Sequence, residues 1–204
     1  APSILYTWWL GSEAGNAMAD VLFGDYNPAG KLPISFPRSE GQIPVFYAAK
    51  STGRPSMNDQ DIVYKSAYLD LPNSPKFAFG HGLSYTTFKY SDLKLSKSKI
   101  SQNEILTVTF TLTNTGKYAG EEVAQLYLQD IFASITRPVK ELKDFKKVML
   151  APGESKTIIF TIDKEKLSFY NQKMKWGAEA GEFNLMIGTA SNNILLASKF
   201  ELID

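Results

Sequence analysis

The sequence predicts an α+β protein in which the remnant of an α/β domain is followed by an antiparallel β-sandwich. Three observations predict it. Leu106, Val108, Phe110 and Leu112 alternate with Thr107, Thr109, Thr111 and Thr113, the period of two that sets apolar side chains on one face of a strand. Ala14, Ala17, Met18, Val21 and Leu22 recur at the three-and-four spacing of a helix, and Gly24 follows as its stop, because glycine enters the left-handed conformation without a Cβ clash. Beyond Phe88 the pattern changes to short β-rich runs parted by turn sequences such as Ala151-Pro152-Gly153-Glu154 and Ala190-Ser191-Asn192-Asn193.

The first element is a strand over Ile4-Leu5-Tyr6-Thr7-Trp8, rich in β-formers and ended by the loop to Gly11. A helix over Ser12 to Phe23 follows. Asp25-Tyr26-Asn27-Pro28-Ala29-Gly30 is turn chemistry. Leu32, Ile34 and Phe36 then alternate with Lys31, Pro33 and Ser35, a half-buried strand that Pro33 confines to a sheet edge because it has no N–H for a ladder. Two strands and a helix cannot close a core, so residues 1-40 read as the C-terminal end of a domain whose body lies upstream. The helix face formed by Ala14, Met18, Val21 and Leu22 is expected to need cover from the connector or from another molecule.

Residues 41-87 lose periodicity and accumulate turn formers around Ser51-Thr52-Gly53-Arg54-Pro55-Ser56. They read as an irregular connector that Tyr47, Tyr64 and Tyr68 pack onto a surface. Residues 88-204 hold the sandwich. Strands are expected at Lys89 to Ser96, Leu106 to Thr113, Glu122 to Gln129, Val139 to Leu150, Ser155 to Ile162, Glu182 to Gly188 and Leu195 to Leu202, with a helical turn at Asp163 to Leu167. Seven strands so spaced fit a sandwich of immunoglobulin or fibronectin III type.

Bulk properties exclude several function classes. In 204 residues, 22 Lys and Arg balance 21 Asp and Glu for a formal charge of +1, which gives no electrostatic case for nucleic acid or an anionic membrane. Cysteine is absent, so neither a disulfide framework nor a thiolate metal site exists. No apolar run approaches the roughly 18 residues of a membrane span. The chain begins Ala1-Pro2-Ser3 without an initiator Met or a signal peptide, and residue 1 is expected not to be the natural start.

The residues also carry a resemblance. Trp8-Trp9-Leu10-Gly11, then Ala19-Asp20-Val21-Leu22-Phe23-Gly24-Asp25-Tyr26-Asn27-Pro28-Ala29-Gly30-Lys31-Leu32-Pro33-Ile34-Ser35-Phe36-Pro37, resembles the signature that closes the second domain of glycoside hydrolase family 3. Gln42-Ile43-Pro44 and Gly53-Arg54-Pro55 are similar to family sequence, and Phe77 to Phe88 resembles its junction into the third domain, with His81 where Tyr is commoner. Thr113 to Tyr127 and Pro138 to Glu154 resemble the family's fibronectin III-like domain. The resemblance implies an α/β sandwich domain ending near residue 40. It also implies a parent that removes terminal β-linked glucose, or a related sugar, through a covalent glycosyl-enzyme without metal or organic cofactor. The nucleophilic Asp would lie in an N-terminal barrel and the acid/base Glu upstream of Trp8, so the site residues here are expected to be none. The expected partners are that barrel and α/β domain of the same chain and a β-glucoside or oligosaccharide bound by the parent. A periplasmic or extracellular setting is implied for the parent, and the sequence leaves a cytoplasmic one open.

Glu13, Asp20 and Asp25 lie on or just past the helix and read as cap and surface groups, Glu13 being favoured by the helix dipole. Glu121 and Glu122 are adjacent on a strand and point to opposite faces, so they cannot converge on one glycosidic bond, and they read as a solvated strand edge. His81 is the only histidine, which rules out a multi-histidine metal site or a triad and leaves a packed or exposed loop ring, the alternative being a residue that borders the parent's cleft. Lys140, Lys143, Lys146 and Lys147, interleaved with Glu141 and Asp144, read as the wet face of a strand, the alternative being a site for an anionic partner. Trp8, Trp9 and Trp176 could stack on sugars, although core or interdomain packing is the expectation. The rival to a scaffold is a β-sandwich interaction module that binds carbohydrate or protein.

Overall fold

The central strand of the sandwich shows why this sequence folds as it does. The computed structural model describes residues 3–56, 58–59 and 62–204. In strand β3, Leu106–Asn114, every odd position of the run is buried and every even one, each a threonine, is half-exposed. β-Branched threonine suits the pleated outer face, and the Leu, Val and Phe partners fill the inner one.

Strands β1 (Phe88–Leu95) and β6 (Ser155–Ile162) flank β3 in an antiparallel sheet of order β1-β3-β6. The facing sheet has the order β2-β10-β9-β4-β5, from β2 (Lys99–Ser101), β4 (Gly120–Asp130), β5 (Glu141–Leu150), β9 (Gly181–Ala190) and β10 (Asn193–Ile203). All of its pairs are antiparallel except β2 with β10. Leu106, Val108, Phe110, Leu112, Ile158 and Phe160 meet Leu126, Leu128, Leu185, Ile187, Phe200 and Leu202 across the interior. Ring stacks of Tyr90 on Phe110 (5.6 Å) and Phe183 on Phe200 (5.2 Å) fill its wide places.

The seven expected strands are present, with ends that shift by up to two residues. Between β6 and β9 lie α2 (Lys164–Leu167), capped by the Asp163 carboxylate on the Lys166 N–H at 3.0 Å, and a hairpin of β7 (Phe169–Tyr170) and β8 (Trp176–Gly177). β2, β7 and β8 were not foreseen, because two or three residues are too few to display an alternation.

The first forty residues require corrections. Ile4 to Trp8 forms no strand: no neighbouring strand offers it a ladder, and Ile4, Leu5 and Tyr6 stay exposed. The run from Leu32 to Phe36 bends at Pro33 and Ile34 and is not a strand. It bonds at its two ends to residues 76–81, through Leu32 N–H to His81 O (2.9 Å), Gly80 N–H to Leu32 O (2.7 Å) and Phe36 N–H to Phe77 O (2.8 Å). Pro33 supplies no donor between them, so only an isolated bridge at Phe36 and Phe77 forms. Helix α1 spans Ala14–Phe23, two residues shorter than expected, and Gly24 closes it at φ 90°. No residue of α1 is buried, and Leu22 and Phe23 are 67% and 84% exposed. The connector does not cover that face.

Candidate functional site

The turn after α1 docks on the sandwich through a row of polar bonds. Asn27 donates its amide to Ala119 O (2.9 Å), while its Oδ1 accepts from the Ser84 hydroxyl (2.9 Å) and the Tyr85 N–H (2.8 Å). Lys31 donates to Gly82 O (3.0 Å) and pairs with Glu122 of β4 at 3.1 Å, with the two side chains 11% and 5% exposed. The Tyr85 hydroxyl reaches back to Val21 O at 2.7 Å and holds the end of α1. Tyr26 donates to Glu121 at 3.4 Å.

The other side of this seam is the glycine-rich bend at 79–82. Gln125 of β4 donates to Gly80 O (3.2 Å) and Thr189 O (2.6 Å) and accepts the Tyr127 hydroxyl. Tyr47 of the connector stacks on Phe79 (4.1 Å) and meets Tyr127 edge-on (5.9 Å), and its hydroxyl accepts the Leu142 N–H (3.2 Å). Beneath lies Asn114, fully buried, which accepts from the Thr86 hydroxyl (2.7 Å) and donates to Leu150 O (3.0 Å) and Tyr118 O (2.8 Å). Every one of these buried polar side chains is satisfied, as a rigid joint requires. Close approach also selects glycine at residue 82, where an added Cβ would fall 2.2 Å from Gly30 O.

The candidate side chains take these places. Glu13 accepts from the Asn16 amide (2.8 Å). Glu121 bonds Lys147, and Glu122 is buried under Lys31, so the solvated-edge reading is corrected for Glu122: β4 lies between β9 and β5, and the signature turn covers its start. His81 stacks on Phe77 (5.4 Å), and burial first, then the nearby Lys31 charge, lowers its pKa. The lysine group is not uniformly wet. Lys140 is half-buried, donates to Ser191 O (2.7 Å), and has its pKa lowered by desolvation. The tryptophans do not enter the core: Trp8 contacts Tyr6 (4.7 Å), while Trp9 and Trp176 are 93% and 50% exposed. Among the described residues no group of three His, Cys, Asp or Glu is placed to hold a metal.

One feature escaped sequence reasoning. The loop from β4 to β5 encloses a hollow of about 350 Å³ lined by Asp130, Phe132, Ser134, Arg137 and Val139 among others. Asp130 Oδ2 and Arg137 Nε are buried in its wall without hydrogen-bond partners among the described residues. Arg137 is otherwise engaged by Glu141 (2.6 Å) and by the Phe169 ring (4.3 Å). Burial, aided by Glu179 and Glu141 and opposed by Arg137, raises the Asp130 pKa from 3.8 to about 6. The folded state therefore keeps a proton that the unfolded state has released between about pH 4 and 6, and stability falls as pH rises through that window. We expect Asp130→Asn to flatten this slope and to gain on the order of 1 to 2 kcal/mol at neutral pH. Urea midpoints measured at several pH values check it, and an unchanged slope refutes it.

Comparison with known proteins matches this architecture. Residues 1–85 match the Glycosyl hydrolase family 3 C-terminal domain and residues 122–191 the Fibronectin type III-like domain. The chain corresponds to the C-terminal region of family 3 glycosyl hydrolases. It is 54% identical over 203 residues to a periplasmic beta-glucosidase of Salmonella typhimurium, covering all of this chain and 26% of that protein. It is 46% identical to a beta-xylosidase of Formosa agariphila, covering 93% of this chain and 25% of the relative. A Listeria innocua beta-glucosidase solved with glucose superposes with a TM-score of 0.89 at 44% identity, over 97% of this chain and 27% of that one. The chain thus spans about a quarter of the length of the relatives it matches. The family 3 signature, from Trp8 to Pro37, is seen here as a joint: its turn residues Asn27 and Lys31 fasten α1 to the fibronectin III-like sandwich. The spacing of the signature announced a helix and a turn, but Lys31 and Glu122 are 91 positions apart and no local pattern could pair them.

Proposed function

We propose that this chain is the non-catalytic scaffold of a retaining β-glucosidase-type hydrolase acting on terminal β-linked glucose or a related sugar. The nucleophile and the acid/base carboxylate would lie in an upstream barrel and α/β sandwich domain. Residues 1-40 complete that α/β domain, 41-87 connect, and 88-204 brace it. The observation that carries this reading is the uncovered apolar surface of α1 and its approach, Trp9, Met18, Leu22 and Phe23, held rigidly on the sandwich by the Lys31, Asn27 and Tyr85 bonds. A surface of this kind on a fixed mount marks a protein contact. The names of the relatives support the substrate class, and the periplasmic one supports an exported parent.

The chain alone is expected to show no turnover of an aryl β-glucoside, since a retaining site needs two carboxylates about 5 to 5.5 Å apart flanking the bond. The positive test uses the Salmonella typhimurium relative truncated ahead of the residue that aligns with Ala1. The truncated enzyme should be inactive and should regain activity when this chain is added. Hydrolysis by the purified chain, or full activity of the truncated enzyme by itself, would overturn the scaffold reading.

A further inference from the structure

The hollow at the far end of the sandwich from the seam has a different chemistry. β3 leaves it at Leu106 and enters the seam at Asn114, a separation of roughly 27 Å at about 3.4 Å per residue. Its volume is about 350 Å³, and its lining is Gln102, Asn103, Glu104 and Ile105 from the β2–β3 turn, residues of α2, and Trp176 with Gly177 from the β7–β8 hairpin. That size lies at the small end of ligand sites, with room for a sugar ring.

Its aromatic wall is held in place before any ligand arrives. Trp176 is half-exposed, its indole N–H donates to Glu165 Oε2 at 3.3 Å, and the Tyr170 ring braces it at 5.0 Å. The hairpin that carries it is closed by Asn171, whose Oδ1 accepts from the Lys173 and Lys175 N–H groups at 2.9 and 3.1 Å. Ile105, also in the lining, offers a second apolar patch, 59% exposed.

The charge pattern selects the ligand. The three carboxylates of the wall are already engaged: Glu104 by Lys97 and the Ser101 N–H, Asp163 by the Lys166 N–H, and Glu165 by Trp176. The Lys97 bond, followed by that of the Ser101 N–H, holds Glu104 charged, at a pKa of about 2. An anion would meet three negative groups, and a cation would meet Lys164 and oxygens committed elsewhere. The side chains left without an intramolecular partner among the described residues are Gln102, Asn103 and Lys164. Amides that donate and accept beside an exposed indole face fit a neutral polyhydroxyl ring, apolar on its faces and hydrogen-bonding at its rim.

We propose that this hollow is a carbohydrate-binding subsite, in which Trp176 stacks against an all-equatorial pyranose of a β-linked gluco-oligosaccharide and Gln102 and Asn103 bond its hydroxyls. An all-equatorial ring presents C–H groups on both faces, whereas an axial hydroxyl, as in galactose, interrupts one of them. The subsite makes no use of catalytic groups and stands whether or not the scaffold reading holds.

The experiment is a titration of the isotopically labelled 204-residue chain with cellotriose, followed by amide and indole NMR shifts, with β-1,4-galactotriose as the control. Saturable shifts are expected at Gln102, Asn103 and the Trp176 indole, with a Kd on the order of 1 mM, and weaker ones with galactotriose. Trp176→Ala should weaken binding about tenfold or more, Asn103→Ala should weaken it in a fold left intact, and Trp9→Ala should change nothing. Absence of saturable shifts in the unsubstituted chain, equal binding of galactotriose, or unchanged affinity in both the Trp176 and Asn103 variants overturns the subsite.

Discussion

Lys31→Met lowers the stability of the chain by about 3 to 5 kcal/mol, because it strands the Glu122 carboxylate in a site only 5% exposed. Methionine keeps most of the apolar stem of lysine, so the loss reports the missing charge more than missing packing. Adding Glu122→Leu should return most of the stability, since removing both members of a buried pair leaves no uncompensated charge. The two variants together separate an electrostatic clasp from simple contact area. Urea unfolding with coincident fluorescence and circular dichroism transitions measures both. A single-variant loss below about 1 kcal/mol, or a double variant no better than the single, would show that the pair does not hold the seam.

Gly80→Ala carries a comparable expected loss from another source, about 3 to 5 kcal/mol. Gly80 sits at φ 82°, where a Cβ costs roughly 1 to 2 kcal/mol for any L residue, and that Cβ would fall 2.2 Å from Gln125 Oε1. Moving Gln125 aside breaks its bonds to Gly80 O and Thr189 O and strands the buried Tyr127 hydroxyl, at about 1 to 3 kcal/mol for an unsatisfied group. Gly153 provides the control. It has φ 77° with open space around the added Cβ, so Gly153→Ala should cost the conformational part alone. Equal losses at the two glycines in urea melts would refute the role assigned to Gln125.

These two variants probe what was hidden in the sequence. The sandwich was legible because its strands bury one face each: the threonine alternation of β3 announces a register that a one-residue slip would ruin. The resemblance in Trp8 to Pro37 placed the chain in its family. The first forty residues misled at the level of strands, because β-forming residues in Ile4 to Trp8 do not make a strand without a ladder partner, and Pro33 interrupts the one partner that Leu32 to Phe36 has. The seam was out of reach for a different reason. Lys31 with Glu122, Gln125 with Gly80 and Asn27 with Ala119 are contacts between distant segments, and each residue alone reads as an ordinary surface or strand group. Asp130 and Arg137 are close in sequence, but that their polar atoms are buried without partners among the described residues depends on how the β4–β5 loop folds, which no local pattern shows. Trp176 was noticed as an aromatic, but only the tertiary structure shows that its face opens to solvent beside unpaired amides.

The Tyr85 hydroxyl on Val21 O has a mechanical consequence. A ten-residue helix that buries nothing would by itself swing about the turn that follows it, since nothing apolar anchors it. With its last turn pinned from the junction loop at 2.7 Å, and the following turn clasped by Lys31 at β4, the helix is cantilevered from the sandwich. Whatever covers its apolar side meets a surface whose direction is already set, and the entropy of orienting the two has been spent during folding of the sandwich and not at the moment of contact.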